Sequence, residues 1–121
     1  MQFCLLAAGK TAALGVTAMT LAWTHSIEKI RWEEDWRIQG NQMTIVQSRV
    51  QGTGAGMEPG PGATFDGHWF RWRPDMKPLK TVTLRRSGAT ADWSVCIRGK
   101  CRPMSAYVGE KADPVVMKPC S

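Results

Sequence analysis

Short stretches of alternating apolar and polar residues, broken by turn signals every roughly 8–14 residues, run through this chain and leave little room for helical periodicity. The clearest runs from Trp32 to Ile38. Trp32, Glu34, Trp36 and Ile38 share one face of a strand and Glu33, Asp35 and Arg37 the other, because strand side chains alternate. Gly40-Asn41 follows as a two-residue hairpin signal. With that loop Ile38 faces Met43, Trp36 faces Ile45 and Glu34 faces Gln47. Phe3–Ala8 and Thr11–Val16 are expected to pair around Gly9-Lys10. Met19, Leu21, Trp23 and His25 line one face of a third strand, and Thr20, Ala22 and Thr24 the other. Further strands are expected over 68–73, 80–86, 93–97 and 100–104. The pattern predicts an all-β fold, a small antiparallel β-sandwich or barrel of about eight strands.

At 121 residues the chain has room for one hydrophobic core and no second lobe. Residues 1–111 are expected to form a single β-domain, and residues 112–121, with Pro114 and Pro119, a C-terminal tail. The longest stretch without strand signals is 51–66, with glycines at 52, 54, 56, 60 and 62. No G-x-G-x-x-G opens a helix and no P-loop is present, which excludes the common dinucleotide and nucleoside triphosphate folds.

Charge is unevenly spread within a formal net +6. Residues 71–102 carry nine basic side chains against Asp75 and Asp92, net +7, while residues 1–70 are net −1. Such a block suits an anionic partner or, more simply, a solvated face. Basic residues scattered over alternating strand positions favour the solvated face, so nucleic acid is not the expected partner.

Cys96 and Cys101 bracket Arg98-Gly99, a hairpin turn that sets them directly opposite one another at a non-hydrogen-bonded pair. That geometry accepts a disulfide worth about 2 kcal/mol, and equally two reduced thiols. Four cysteines and two histidines without paired-cysteine spacing predict no zinc site and no cofactor. The N-terminus lacks the basic segment of a secretory signal, which favours the cytoplasm; a signal upstream of this start would place the chain in the periplasm. No apolar run is long enough for a membrane span.

Two polar residues interrupt apolar faces. His25 continues the Met19–Leu21–Trp23 face, and Glu34 sits between Trp32 and Trp36. If 26–31 is the connection, Trp23 falls opposite Glu34, with His25 one step away and Gln47 and Arg49 across from it. A buried carboxylate needs a partner, so Glu34 is expected to bond to His25, Gln47 or Arg49. Three readings compete for this cluster. It is a structural polar network; or a ligand pocket walled by Trp23, Trp32 and Trp36, with His25 and Glu34 as polar handles; or an acid–base or metal site joined from the loop by Glu58 or Asp66 and by His68.

Taken in order, Leu21-Ala22-Trp23-Thr24-His25-Ser26-Ile27-Glu28-Lys29, Trp32-Glu33-Glu34-Asp35-Trp36, Gly54-Ala55-Gly56-Met57-Glu58-Pro59, Asp66-Gly67-His68-Trp69, Asp92-Trp93 and Cys96 to Cys101 resemble the bacterial family called domain of unknown function 1850, over about Phe3 to Pro103. The resemblance brings no catalytic residues. It implies a context, since members are commonly encoded beside tripartite ATP-independent periplasmic transporters with a TAXI-type solute-binding protein. The expectation is therefore a non-enzymatic accessory or binding β-domain of a solute transport system, partnered by a transporter component or a small-molecule ligand. The alternatives are a nucleic-acid-binding β-barrel using residues 71–102, with Trp69, Phe70 and Trp72 among the arginines, and a small enzyme with a His25/Glu34 site.

Overall fold

Alternating burial sorts the strands into two layers. The structure, a computed structural model, describes residues 1–24, 29–52, 58–87 and 91–121. Its elements are β1 (Gln2–Ala7), β2 (Lys10–Ala13), β3 (Ala18–Thr24), β4 (Arg31–Gln39), β5 (Gln42–Val50), β6 (Thr64–Phe65), β7 (Phe70–Trp72), β8 (Val82–Leu84), β9 (Ser94–Ile97), β10 (Lys100–Pro103), the one-turn helix α1 (Ser105–Val108) and β11 (Val115–Cys120). One sheet has the order β2-β1-β11-β8 and the other β10-β9-β3-β4-β5-β7-β6, with every pairing antiparallel. Neither order closes on itself, so the all-β expectation holds as a sandwich and not a barrel.

Phe3, Leu5 and Ala7 of β1 and Val115 and Met117 of β11 supply one side of the core. Met19, Leu21, Trp36, Met43, Ile45 and Val95 supply the other. Each set recurs at every second residue within its strand, as a half-buried sheet requires. The segment expected as a tail therefore belongs to the fold. Residues 115–120 form the strand between β1 and β8, and a disulfide joins Cys4 to Cys120 with a Cα separation of 5.9 Å.

Two hairpins use the same turn chemistry. Arg98 and Gly99 have φ of 52° and 79°, Ile97 pairs with Lys100 and Cys96 with Cys101, as the sequence predicts. Ala8 and Gly9, at 51° and 76°, form the loop of the first hairpin, and Ala7 pairs with Lys10. The expected Gly9-Lys10 loop is thus one residue late: a turn with left-handed φ at both central positions takes glycine readily at the second.

Two registers around β4 also differ from expectation. Trp23 pairs with Trp32 and Leu21 with Glu34, so the β3–β4 connection is six residues, 25–30. The two-residue shift keeps every face assignment and stacks Trp23 on Trp32, a favoured cross-strand aromatic pair. On the other side, the Gly40-Asn41 loop pairs Ile38 with Met43 and Trp36 with Ile45 as expected, but a β-bulge follows. Asp35 pairs with Gln47, leaving Val46 as the extra residue of β5. Beyond the bulge Glu34 faces Ser48 and Glu33 faces Arg49. One inserted residue thereby reverses which face the end of β5 presents.

Candidate functional site

The bulge divides the expected polar cluster between the two faces of β4. On the core-facing side, Glu34 lies between Leu21 of β3 and Ser48 of β5, and Ser48 pairs onward with Trp72 of β7. Trp36 Nε1 donates to Glu34 Oε1 at 3.3 Å. Burial pushes the Glu34 carboxyl above its ordinary value, and the Trp36 bond offsets part of that rise. Gln47 and Arg49, expected as its partners, point to the opposite face because the bulge moves them there. His25, the remaining expected partner, lies outside the described residues, as do Ser26 to Glu28 and Gly54 to Met57 of the motif stretches.

Four tryptophans form a row beside Glu34. Trp23 stacks on Trp32 with ring centroids 5.6 Å apart. Trp93 meets Trp23 edge-on at 4.8 Å, and Trp72 meets Trp32 edge-on at 5.3 Å. All four are half-buried, and of them only Trp93 packs against the core cluster. A four-stranded layer facing a seven-stranded one leaves part of the larger sheet uncovered, and Trp23 and Trp32 lie at the ends of β3 and β4 away from the buried Met19–Trp36 pair. The Trp32 Nε1 hydrogen is enclosed with no acceptor among the described residues. A side chain at Gly60 would run into the Trp72 indole, so glycine lets that backbone close over the ring. Trp36, expected as a pocket wall, is 4 % exposed and belongs to the core.

On the outer side Arg49 is the hub. It donates from Nε to Glu33 Oε1 at 2.8 Å, and from Nη1 and Nη2 to the Asp35 carboxylate at 2.8 and 3.1 Å. Arg31 Nε donates to the second Glu33 oxygen at 2.6 Å, and Thr20 Oγ1 to Asp35 at 2.6 Å. Burial alone would raise the Asp35 carboxyl, but the bonds from Arg49 and Thr20 and the charges of Arg49 and Arg71 outweigh it and hold the carboxyl low. Arg71 Nη1 donates to Gln47 at 3.0 Å and the Trp69 ring lies 5.7 Å from the Arg49 guanidinium carbon. Glu33 and Asp35, on the face of β4 opposite Glu34, are thus the partners of Arg49.

The loop candidates do not converge on Glu34. Asp66 is exposed in the β6–β7 turn, where it accepts from the backbone N–H groups of His68 and Trp69 at 3.0 and 2.8 Å and pairs with Arg71 Nε at 2.7 Å. The Arg71 bond and the two backbone bonds hold its carboxyl far below the ordinary range. His68 and Glu58 are exposed. Among the described residues no three His, Cys, Asp or Glu side chains gather where they could hold a metal ion.

Residues 19–104 match the family model for a domain of unknown function, DUF1850. The chain belongs to that family. The matched span begins later than the Phe3 expected from the motifs, and it contains the seven-stranded sheet except Ala18, the tryptophan row, Glu34, the Arg49 network and the Cys96–Cys101 hairpin. β1, β2 and β11 lie outside it. No curated protein and no solved structure matches the chain.

Proposed function

We propose that this DUF1850 domain is a non-enzymatic binding module that assists a solute transport system by docking a protein component of the transporter on its tryptophan row. The supporting observation is the row itself: four half-buried indoles in sequence across the sheet, with Glu34 at its side. The stacked faces of Trp23 and Trp32 cover one another, and Trp93 and Trp72 abut the pair from either flank. Ring edges suit the broad, shallow contact of a protein surface better than a slot for a flat ligand, and tryptophan is enriched at the centres of such interfaces. Both pairs of cysteines are bonded, which supports an oxidising compartment such as the periplasm and weighs against the cytoplasm.

Nucleic acid is the weaker reading. Arg71, Arg85 and Arg86 of the basic block are held by Asp66, Asp113 and Asp92. The other six are dispersed: Arg98, Lys100 and Arg102 lie at the β9–β10 edge of the larger sheet, Arg73 follows β7, and Lys77 and Lys80 lie between β7 and β8. β10 and β7 are five strand spacings apart, roughly 24 Å along the sheet. The acid–base reading keeps Glu34, but Asp66 bonds to Arg71 on the outer side of the sheet.

The test is an NMR titration of the indole N–H signals with a purified TAXI-type solute-binding protein. Shifts at Trp23, Trp32 and Trp72 that vanish in Trp32→Ala are expected. No shift at saturating partner, or binding that collapses between 50 and 200 mM salt as phosphate contacts do, overturns the proposal.

A further inference from the structure

The two disulfides occupy different kinds of position. Cys4 is fully buried, and its bond to Cys120 spans a sequence separation of 116 and ties two interior strands of the smaller sheet. Cys101 is exposed, and its bond to Cys96 spans a separation of 5 at the sheet edge, where β10 is the outermost strand. The first lies on the face of the smaller sheet away from the Phe3–Met117 core side, where Cys4 is enclosed and Cys120 is half-buried. Opening the second leaves every pairing of β3, β4 and β5 in place.

The edge bridge also borders a cavity of about 460 Å³ whose wall includes Thr20, Asp35, Arg37, Arg49 and Arg98. The Glu33 and Asp35 carboxylates of that wall share Arg49, so with Arg37 and Arg98, both exposed, the three arginines against two carboxylates leave one net positive charge beside the sulfurs. Cations beside a cysteine favour its thiolate, the form that attacks and leaves in exchange.

We propose that Cys96–Cys101 is a thiol–disulfide exchange site that accepts two electrons from a dithiol, and that Cys4–Cys120 is the permanent bridge. A donor thiolate attacks the exposed Cys101 Sγ. A donor–Cys101 sulfur bond forms, the Cys96–Cys101 bond breaks, and Cys96 leaves as a thiolate that takes a proton from solvent. The donor's second thiol loses its proton to solvent and attacks the donor sulfur of the mixed disulfide, releasing the Cys101 thiolate, which takes a proton from solvent in turn. The donor ends as a disulfide and Cys96 and Cys101 as thiols.

The folded protein is incubated with dithiothreitol, quenched by alkylation at intervals and read by peptide mass spectrometry, with far-ultraviolet circular dichroism in parallel. Cys96 and Cys101 are expected to be alkylated at least about tenfold faster than Cys4 and Cys120, because the Cys101 sulfur is exposed whereas Cys4 is enclosed and Cys120 half-buried between paired strands. The dichroism is expected to stay native throughout. Loss of both bridges together, or of Cys4–Cys120 first, overturns the assignment. The direction of attack is tested with single thiols while Cys4–Cys120 preserves the fold. Cys101 in Cys96→Ser is expected to react with an aryl disulfide about tenfold faster than Cys96 in Cys101→Ser, and Arg98→Glu is expected to slow it. Equal or reversed rates, or no effect of Arg98→Glu, overturn the mechanism.

Discussion

At Arg49 a single guanidinium answers two carboxylates on a sheet face, and its side chain is only 14 % exposed. Arg49→Met removes the countercharge and leaves Glu33 with Arg31 alone and Asp35 with the Thr20 hydroxyl. Partly buried carboxylates stripped of a partner are costly, and solvent screening tempers the cost, so a loss of about 2 kcal/mol in urea unfolding at pH 7 is expected. The pH dependence checks the cause. The folded Asp35 titrates below its ordinary value near 3.8, so its contribution is present above that pH and is lost as pH falls through the folded value. The gap between wild type and Arg49→Met should therefore narrow below about pH 4; a gap that stays constant would assign the loss to packing. Glu34 has the opposite sign. Its folded value lies above the ordinary 4.5, so the folded state binds the proton more tightly and stability falls as pH rises through that window. Glu34→Gln keeps an acceptor for Trp36 and removes the titration. Relative to wild type it should gain stability between pH 4 and pH 7, measured by thermal unfolding across that range.

The bulge at Val46 decides which residues meet, and it marks where the sequence stops being transparent. Alternation was enough to assign the faces of β3 and β4, though not their register, and with turn chemistry it set Cys96 opposite Cys101, because those strands follow a strict period of two. They failed for Gln47 and Arg49 because one extra residue breaks the period. The signal was present: Met43 and Ile45 are odd-numbered core positions and Val50 is an even-numbered one, all buried. A strand of nine residues cannot bury both sets on one face without an insertion between them. β11 was hidden for a different reason. Its sequence neighbours are polar and proline-rich, and only long-range pairing with β1 and β8 makes Val115–Cys120 a strand. Deleting Val46 tests the register argument. It removes the extra residue and leaves Ile45 opposite Trp36 and Gln47 opposite Asp35 in unbroken alternation, so Gln47 and Arg49 stay on the outer face and Ser48 and Val50 on the core face. The expected result is a variant that unfolds cooperatively in urea with native near-ultraviolet dichroism. Loss of cooperative unfolding would mean that β4 and β5 need the bulge for more than their register.

Across the whole molecule, the span that matches the family model holds nearly all of a seven-stranded sheet and β8, and the core face of that sheet is covered mainly by strands from both ends of the chain. Leu21, Met43 and Val95 are fully buried, and the opposing Phe3, Leu5, Val115 and Met117 all come from β1 and β11. Those two strands are adjacent in space and separated by nearly the full chain, so pairing them closes the largest loop available and carries a correspondingly large entropic cost. The Cys4–Cys120 bond removes much of that cost from folding by constraining the unfolded chain. On the chain-entropy model a bridge of sequence separation 116 contributes about 5 kcal/mol, and one of separation 5 about 2 kcal/mol. Replacing both Cys4 and Cys120 by serine should thus lower the unfolding free energy by about 3 kcal/mol more than replacing both Cys96 and Cys101. With total stabilities of about 5–15 kcal/mol for domains of this kind, the first variant approaches the unfolding threshold while the second stays folded. Urea midpoints for the two double variants under non-reducing conditions decide it. Equal midpoints would mean that β1 and β11 stay paired in the unfolded chain without the bond, and the smaller sheet would then owe its assembly to the Phe3–Met117 apolar face alone.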